Sequence, residues 1–135
     1  MQLTLDLLRE MYSICRLPPD AELPAGAFQS PGFSSVSRTA EELSIICPAD
    51  DAPADVAQRS DGWRALKIRG PLDLSTSGIL LKALLPLGER RIPVFSVATF
   101  DTDYLFVREQ DLMRAVEALR SAGHLVHADT VLGGR

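Results

Sequence analysis

Apolar and polar positions alternate in short stretches through the first half of the chain, and a 3.6-residue spacing appears twice in the second half. Residues 2–7 (QLTLDL) alternate with the period of a half-buried strand, and Tyr12–Leu17 reads as a second strand. Pro18, Pro19, Pro24, Gly26 and the Pro31-Gly32 pair then punctuate a loop with room for one helical turn. Phe33–Arg38 and Leu43–Cys47 flank the short TAEE segment, the layout of a hairpin. The Asp-, Ala- and Pro-rich stretch 48–60 predicts a short helix around Ala54–Gln58. Asp50, Asp51 or Asp55 would stand near its start, where a carboxylate suits the helix dipole.

From Trp63 the pattern is firmer. Trp63–Arg69 predicts a strand ended by Gly70-Pro71. Thr76–Arg90 predicts a helix capped by Ser75 or Thr76, because a hydroxyl can accept from an orphan N–H. That helix is apolar nearly all round, so it should be covered on most sides, and Pro86 should kink it or end its regular part. Ile92–Thr99 and Tyr104–Arg108 predict two strands joined by Thr99–Asp103. Gln110–Ala122 carries Leu112, Ala115, Val116 and Leu119 on one face, Gly123 fits its C′ stop, and His124–Val126 can close the set as a strand. The second half therefore predicts β-α-β-β-α-β, a split βαβ unit. The first half is a poorer copy with short or missing helices, so the expected boundaries are an abbreviated module over 1–61 and a fuller one over 62–135.

Composition narrows the function classes. The chain has 135 residues, a hydrophobic content of 46% and a charged content of 24%, ordinary for a globular protein. A net charge of -4 without a Lys/Arg run disfavours nucleic acid as a partner. The longest apolar run, Gly78–Leu87, is interrupted by Lys82 and falls short of the roughly 18 residues of a membrane span. No basic flank or small-residue cleavage site marks the N-terminus as a secretory signal, so the expected location is cytoplasmic. Cys15 and Cys47 sit in strand-like runs and read as buried thiols. No CxxC is present, and both histidines (His124 and His127) are remote from them, so no metal site or cofactor is expected. GxSxG, HExxH, P-loop and GxGxxG motifs are all missing, and no catalytic residue is assigned.

Three segments, FSSVSRTAEELSIICP (33–48), GWRALKIRGPLDLSTSGIL (62–80) and IPVFSVATFDTDYLFVREQDL (92–112), resemble ACT-domain proteins, and most nearly the small bacterial tandem-ACT proteins. These share a domain with the cytosolic arginine sensor of the TOR pathway. The resemblance covers roughly residues 10–125. It implies an α+β fold of two ferredoxin-like βαββαβ modules side by side, with antiparallel sheets, helices on one face and the first module abbreviated. It also implies a non-enzymatic regulatory protein whose ligand, an amino acid, lies at the interface between modules. A homodimer or an unidentified protein partner would read the signal.

Carried over by position, the implied ligand-binding residues are the strand pair Ser35 and Val36, the strand–helix loop residues Asp73, Leu74, Ser75, Thr76 and Gly78, and the turn residues Thr99, Phe100, Asp101 and Asp103. The arginine sensor has acidic residues where Ser75 and Thr76 stand here, which puts an arginine specificity in doubt. The chemistry of these residue types agrees with an amino acid. A carboxylate suits the N–H groups of a helix N-terminus, an ammonium suits Asp101 or Asp103, and Phe33, Phe100 or Tyr104 could select a side chain. Plainer readings stand beside this: the two aspartates shape a turn through their own backbone, and Ser34, Ser35 and Ser37 form a solvated hairpin face. An interaction module with a vestigial site is the alternative function.

Overall fold

A computed structural model describes residues 2–72 and 78–128. Its strands are β1 (Thr4–Leu17), β2 (Ser35–Arg38), β3 (Leu43–Pro48), β4 (Gln58–Ile68), β5 (Val94–Ala98), β6 (Asp103–Arg108) and β7 (Leu125–His127). Two α-helices accompany them, α1 (Ile79–Glu89) and α2 (Leu112–Ser121). The chain divides into two compact units, one made of residues 1–9 and 64–135, the other of residues 10–63. Strands β1 and β4 each contribute one end to each unit.

The discontinuous unit contains β4-α1-β5-β6-α2-β7 in chain order, the predicted β-α-β-β-α-β succession. Its strands run β7-β1-β4-β6-β5. The start of β1 lies between β7 and β4: it pairs in parallel with β7 (Leu5 opposite Val126), and the Thr4 carbonyl accepts from the Arg69 amide at 2.7 Å. Alternation puts Leu5 and Leu7 of β1, Leu66 and Ile68 of β4, and Leu105 and Val107 of β6 on one face. There they are buried with Ile79, Ala83 and Leu87 of α1 and Ala115, Val116 and Leu119 of α2. Each such leucine, isoleucine or valine contributes about 1.5–3 kcal/mol when fully buried, so this apolar layer holds both helices to one face. On the opposite face Phe95 and Phe106 stack with centroids 4.8 Å apart and planes 5° apart.

The contiguous unit, 10–63, holds the β2–β3 hairpin, with Val36 opposite Ile45, and β3 beside β1, with Cys15 opposite Ile45. Its core gathers Leu43, Ile45, Cys47 and Ala27, the last from a single 3-10 turn over Ala25–Phe28. Among its described residues there is no α-helix.

Several expectations need correction. The two strands anticipated at 2–7 and 12–17 are one strand, β1. Leu5, Leu7, Ser13 and Cys15 are buried in one alternating phase along it, and the exposed Arg9 and Met11 between them resemble a break. Ala54–Gln58 is not helical: the helical turn is a 3-10 turn at Ala49–Asp51, with Asp50 and Asp51 in it, and Gln58 already belongs to β4. Helix α1 begins at Ile79 with Gly78, at φ 85°, as its N-cap, and the anticipated cap residues Ser75 and Thr76 lie outside the described residues. It runs through Pro86 to Glu89 without ending there. It is covered on one side only, since Leu81 and Leu85 are 65% and 54% exposed. Helix α2 ends as anticipated, with Gly123 at φ 95°.

Candidate functional site

The turn between β5 and β6 is built by threonines. The Thr99 amide and hydroxyl both donate to the Thr102 carbonyl, at 2.8 and 3.0 Å. The Thr102 amide returns a bond to Thr99 Oγ1 at 3.3 Å. Buried Thr102 then ties the turn to the end of β4, its hydroxyl donating to the Ile68 carbonyl at 2.5 Å. One residue earlier, the Asp101 carbonyl accepts from the Leu72 amide at 2.7 Å. The chain leaving β4 thus lies clasped under the β5–β6 turn. Gly70 permits this approach: a Cβ there would stand 3.0 Å from both the Asp101 oxygen and the Leu72 nitrogen, and 3.3 Å from Thr102 Cβ.

This arrangement bears on the aspartates. The turn is held by Thr99 and Thr102, and among the described residues neither the Asp101 nor the Asp103 carboxylate has a hydrogen-bonding or ionic partner. Asp101 is exposed at the turn and Phe100 beside it is 82% exposed. Asp103 is half-buried and alternates with Leu105 and Val107, which places it on the face carrying the helices. Gly78, at the start of α1 in the same unit, has a positive φ (85°) that a glycine adopts without strain. No side chain among the described residues caps α1, whose first N–H groups have the electropositive character of a helix start.

The structure places Thr99, Phe100, Asp101 and Asp103 at the β5–β6 turn and Gly78 at the start of α1, all within one unit. Asp73, Leu74, Ser75 and Thr76 lie outside the described residues. Ser35 and Val36 belong to the other unit, on β2, where Ser35 is half-buried and Val36 is 40% exposed. Gly70 and Thr102, which position the turn, were not anticipated. The signal available was the Thr-x-x-Thr spacing of 99 and 102 beside a Gly-Pro strand end.

Other polar groups are already committed. In the 10–63 unit, buried Ser13 donates to Asp61 Oδ1 at 2.5 Å, and Arg59 reaches the same oxygen from Nε and Nη2 at 3.0 and 2.9 Å. The Ser13 hydroxyl first, and then Arg59, hold the Asp61 carboxyl below the usual carboxylate range. Burial raises the Cys15 thiol and pushes Cys47 up to about 11, so both stay as neutral thiols at neutral pH. No group of three or more His, Cys, Asp or Glu side chains that could hold a metal ion occurs among the described residues. No described helix is long and apolar enough to cross a membrane.

Comparison with known proteins matches residues 58–121 to the ACT domain, and residues 10–55 to a second family described as an N-terminal domain. Protein Atu0741 from Agrobacterium tumefaciens is 39% identical, with 93% of this chain and 92% of that one covered at a TM-score of 0.86. Residues 58–121 belong to the ACT-domain family. The fold of this ACT-domain protein also resembles the regulatory subunit of aspartate kinase from Thermus flavus (14% identity, 90% and 97% of the two chains, TM-score 0.60). It resembles as well the protein of unknown function VC0802 from Vibrio cholerae, described as a possible transport protein (17% identity, 90% of each chain, TM-score 0.68). No curated protein gives a match.

Proposed function

We propose that this ACT-domain protein is a non-catalytic regulatory module that binds a free amino acid where β4 leads into α1 beneath the β5–β6 turn. The observation that carries this reading is that threonines, not aspartates, hold the turn. Among the described residues the Asp101 and Asp103 carboxylates have no hydrogen-bonding or ionic partner, and the start of α1, in the same unit, has no side-chain cap. An amino acid supplies the complement. Its ammonium would meet Asp103, its carboxylate the N–H groups at the start of α1, and its side chain Phe100. The ACT-domain match and the likeness to an aspartate kinase regulatory subunit support a regulatory role. A ligand bound there biases the arrangement of the loop and turn it touches, and a partner could read that bias.

Calorimetric titration with each of the twenty amino acids, repeated on Asp103→Ala, tests this. The expected result is binding of one amino acid or a narrow set, weakened at least about tenfold in the variant. No heat and no thermal shift with any of the twenty would overturn the proposal.

A second reading, an interaction module with a vestigial site, is favoured by the exposure of Leu81, Leu85 and Met113, at 65%, 54% and 65%, on the two helices. Under that reading Leu81→Glu changes the oligomeric state seen by light scattering, and Asp103→Ala changes nothing.

A further inference from the structure

His124 stands between α2 and β7 and is buried, 7% exposed. Both of its ring nitrogens meet backbone. The Leu3 amide donates to Nδ1 at 3.1 Å, and Nε2 stands 3.3 Å from the Lys82 carbonyl oxygen of α1. An amide N–H can only donate and a carbonyl can only accept. These partners fix the state of the ring: Nδ1 presents its lone pair and Nε2 carries the hydrogen, which is the neutral imidazole.

The ring thereby joins the start of β1, the α2–β7 junction and α1, all within the discontinuous unit. Two bonds beside it act on the same stretch of chain. The Gln2 side-chain amide donates to the Gly123 carbonyl at 3.1 Å, and the Leu125 amide donates to the Leu3 carbonyl at 2.9 Å. A proton on Nδ1 would remove the acceptor of the Leu3 N–H and set donor against donor in the core.

Nothing on the elements packed around the ring offsets such a charge. Among the described residues no carboxylate pairs with it. Lys82 of α1 and Arg120 of α2 are cations, and Arg120 donates to the Val126 carbonyl at 2.7 Å. Glu117 of α2 is paired with Arg90 at 2.9 Å, and Asp6 of β1 with Arg69 at 2.6 Å. Asp6 and His127 lie opposite one another and alternate with buried Leu5 and Val126, which places them on the sheet face away from the helices. The carbonyls that end α2 favour a cation weakly, by less than a buried, opposed donor costs.

We propose that His124 is a proton-operated latch on the start of β1. In its neutral form it holds residues 2–5 against β7. When a proton from solvent takes the Nδ1 lone pair, the Leu3 bond breaks and residues 2–5 are released, baring Leu3 and Leu5. The released state binds the proton and the latched state excludes it, so release is favoured as pH falls. The latch uses none of the residues of the turn site.

Ring-nitrogen chemical shifts and amide hydrogen exchange of the full chain, followed from pH 8 to pH 5, test this. At pH 8 the His124 ring should show the hydrogen on Nε2 and a bare, hydrogen-bonded Nδ1. After correction for the intrinsic exchange rate, the open fraction read at the Leu3 and Leu125 amides should rise by up to about tenfold per pH unit, the slope for uptake of one proton. Amides of the β2–β3 hairpin should not follow. Asp6 stays ionised across this range, because Arg69 holds its carboxyl below the ordinary value of 3.8, so it adds no slope. His124→Asn keeps an acceptor near the Nδ1 position but takes up no proton, and should flatten the slope. His127→Asn should leave it unchanged. The proposal is overturned by a hydrogen on Nδ1 at pH 8, by an open fraction indifferent to pH in the parent, or by a slope that survives His124→Asn or disappears in His127→Asn. The first two measurements need only the parent protein, so they decide the matter even if a variant fails to fold.

Discussion

Gly70→Ala separates two opposite expectations. At an unstrained position, alanine in place of glycine stabilises a protein by about 0.4–1 kcal/mol, because the unfolded chain loses freedom. Gly70 has open neither of the directions that matter: an added Cβ would sit 3.0 Å from the Asp101 carbonyl oxygen and 3.0 Å from the Leu72 nitrogen. Those two atoms are the acceptor and donor of one 2.7 Å hydrogen bond, so the methyl would wedge against the clasp itself. The oxygen cannot retreat easily, because the turn that carries it is tied through Thr102 to the Ile68 carbonyl. Overpacking of this kind costs about 1–3 kcal/mol, which exceeds the entropic gain and leaves a net loss of about 1–2 kcal/mol. Urea unfolding followed by circular dichroism should show a lower midpoint at unchanged slope, and Tm should drop by about 4–8 °C. Affinity for the ligand of the turn site should fall in parallel. A variant as stable as the parent, or more so, would refute the claim that the β5–β6 turn is locked onto the exit of β4.

Three further outcomes follow from the packing and the charges. Glu109→Gln removes the carboxylate that meets Arg64 Nη1 at 2.8 Å. The Arg64 side chain is 7% exposed and its other described bond is to the Leu8 carbonyl, so denaturant melts should show a loss of about 1–2 kcal/mol, discounted because Glu109 is half-exposed. The Arg69 hydrogen bond holds the Asp6 carboxyl below its ordinary value of 3.8, so Asp6 contributes stability that is present above that value and lost as pH falls through the lower folded one. The stability difference between the parent and Asp6→Asn should therefore be present at neutral pH and vanish in acid, as read from Tm against pH. Cys47, fully buried and with its thiol pushed to about 11, should resist a thiol-reactive disulfide reagent at pH 8 in the native protein and react promptly once urea unfolds it.

The parts of this fold legible in the sequence are those whose signal is local. The β2–β3 hairpin, the β5–β6 pair, α2 with its Gly123 stop and the β-α-β-β-α-β succession each announce themselves by period and punctuation within about a dozen residues. What escaped is non-local. The place of β1 beside β7 depends on residues 4–6 meeting residues 125–127, a pairing that no window contains. The anticipated Ala54–Gln58 helix gives way because Gln58 and Arg59 are drawn into β4, where Arg59 anchors on Asp61 and the Pro53 carbonyl. Tertiary partners there override an alanine-rich preference. The candidate site divides the same way. Thr99–Asp103 was visible as polar residues between two strands, but the clasp through Gly70, Leu72 and Thr102 exists only once β4 and β6 lie side by side.

The discontinuity of the larger unit sets an order of events for a chain that emerges N-terminus first. Residues 10–63 are contiguous, so their hairpin and core can form as soon as they are free. The first nine residues must wait. Their sheet neighbours are the far end of β4 and, beyond 120 residues, β7. Until then Leu3, Leu5 and Leu7, buried in the finished protein, are left uncovered. A segment of such composition is a candidate for chaperone capture or aggregation during synthesis, and closing the largest loop in the molecule becomes the late step of folding.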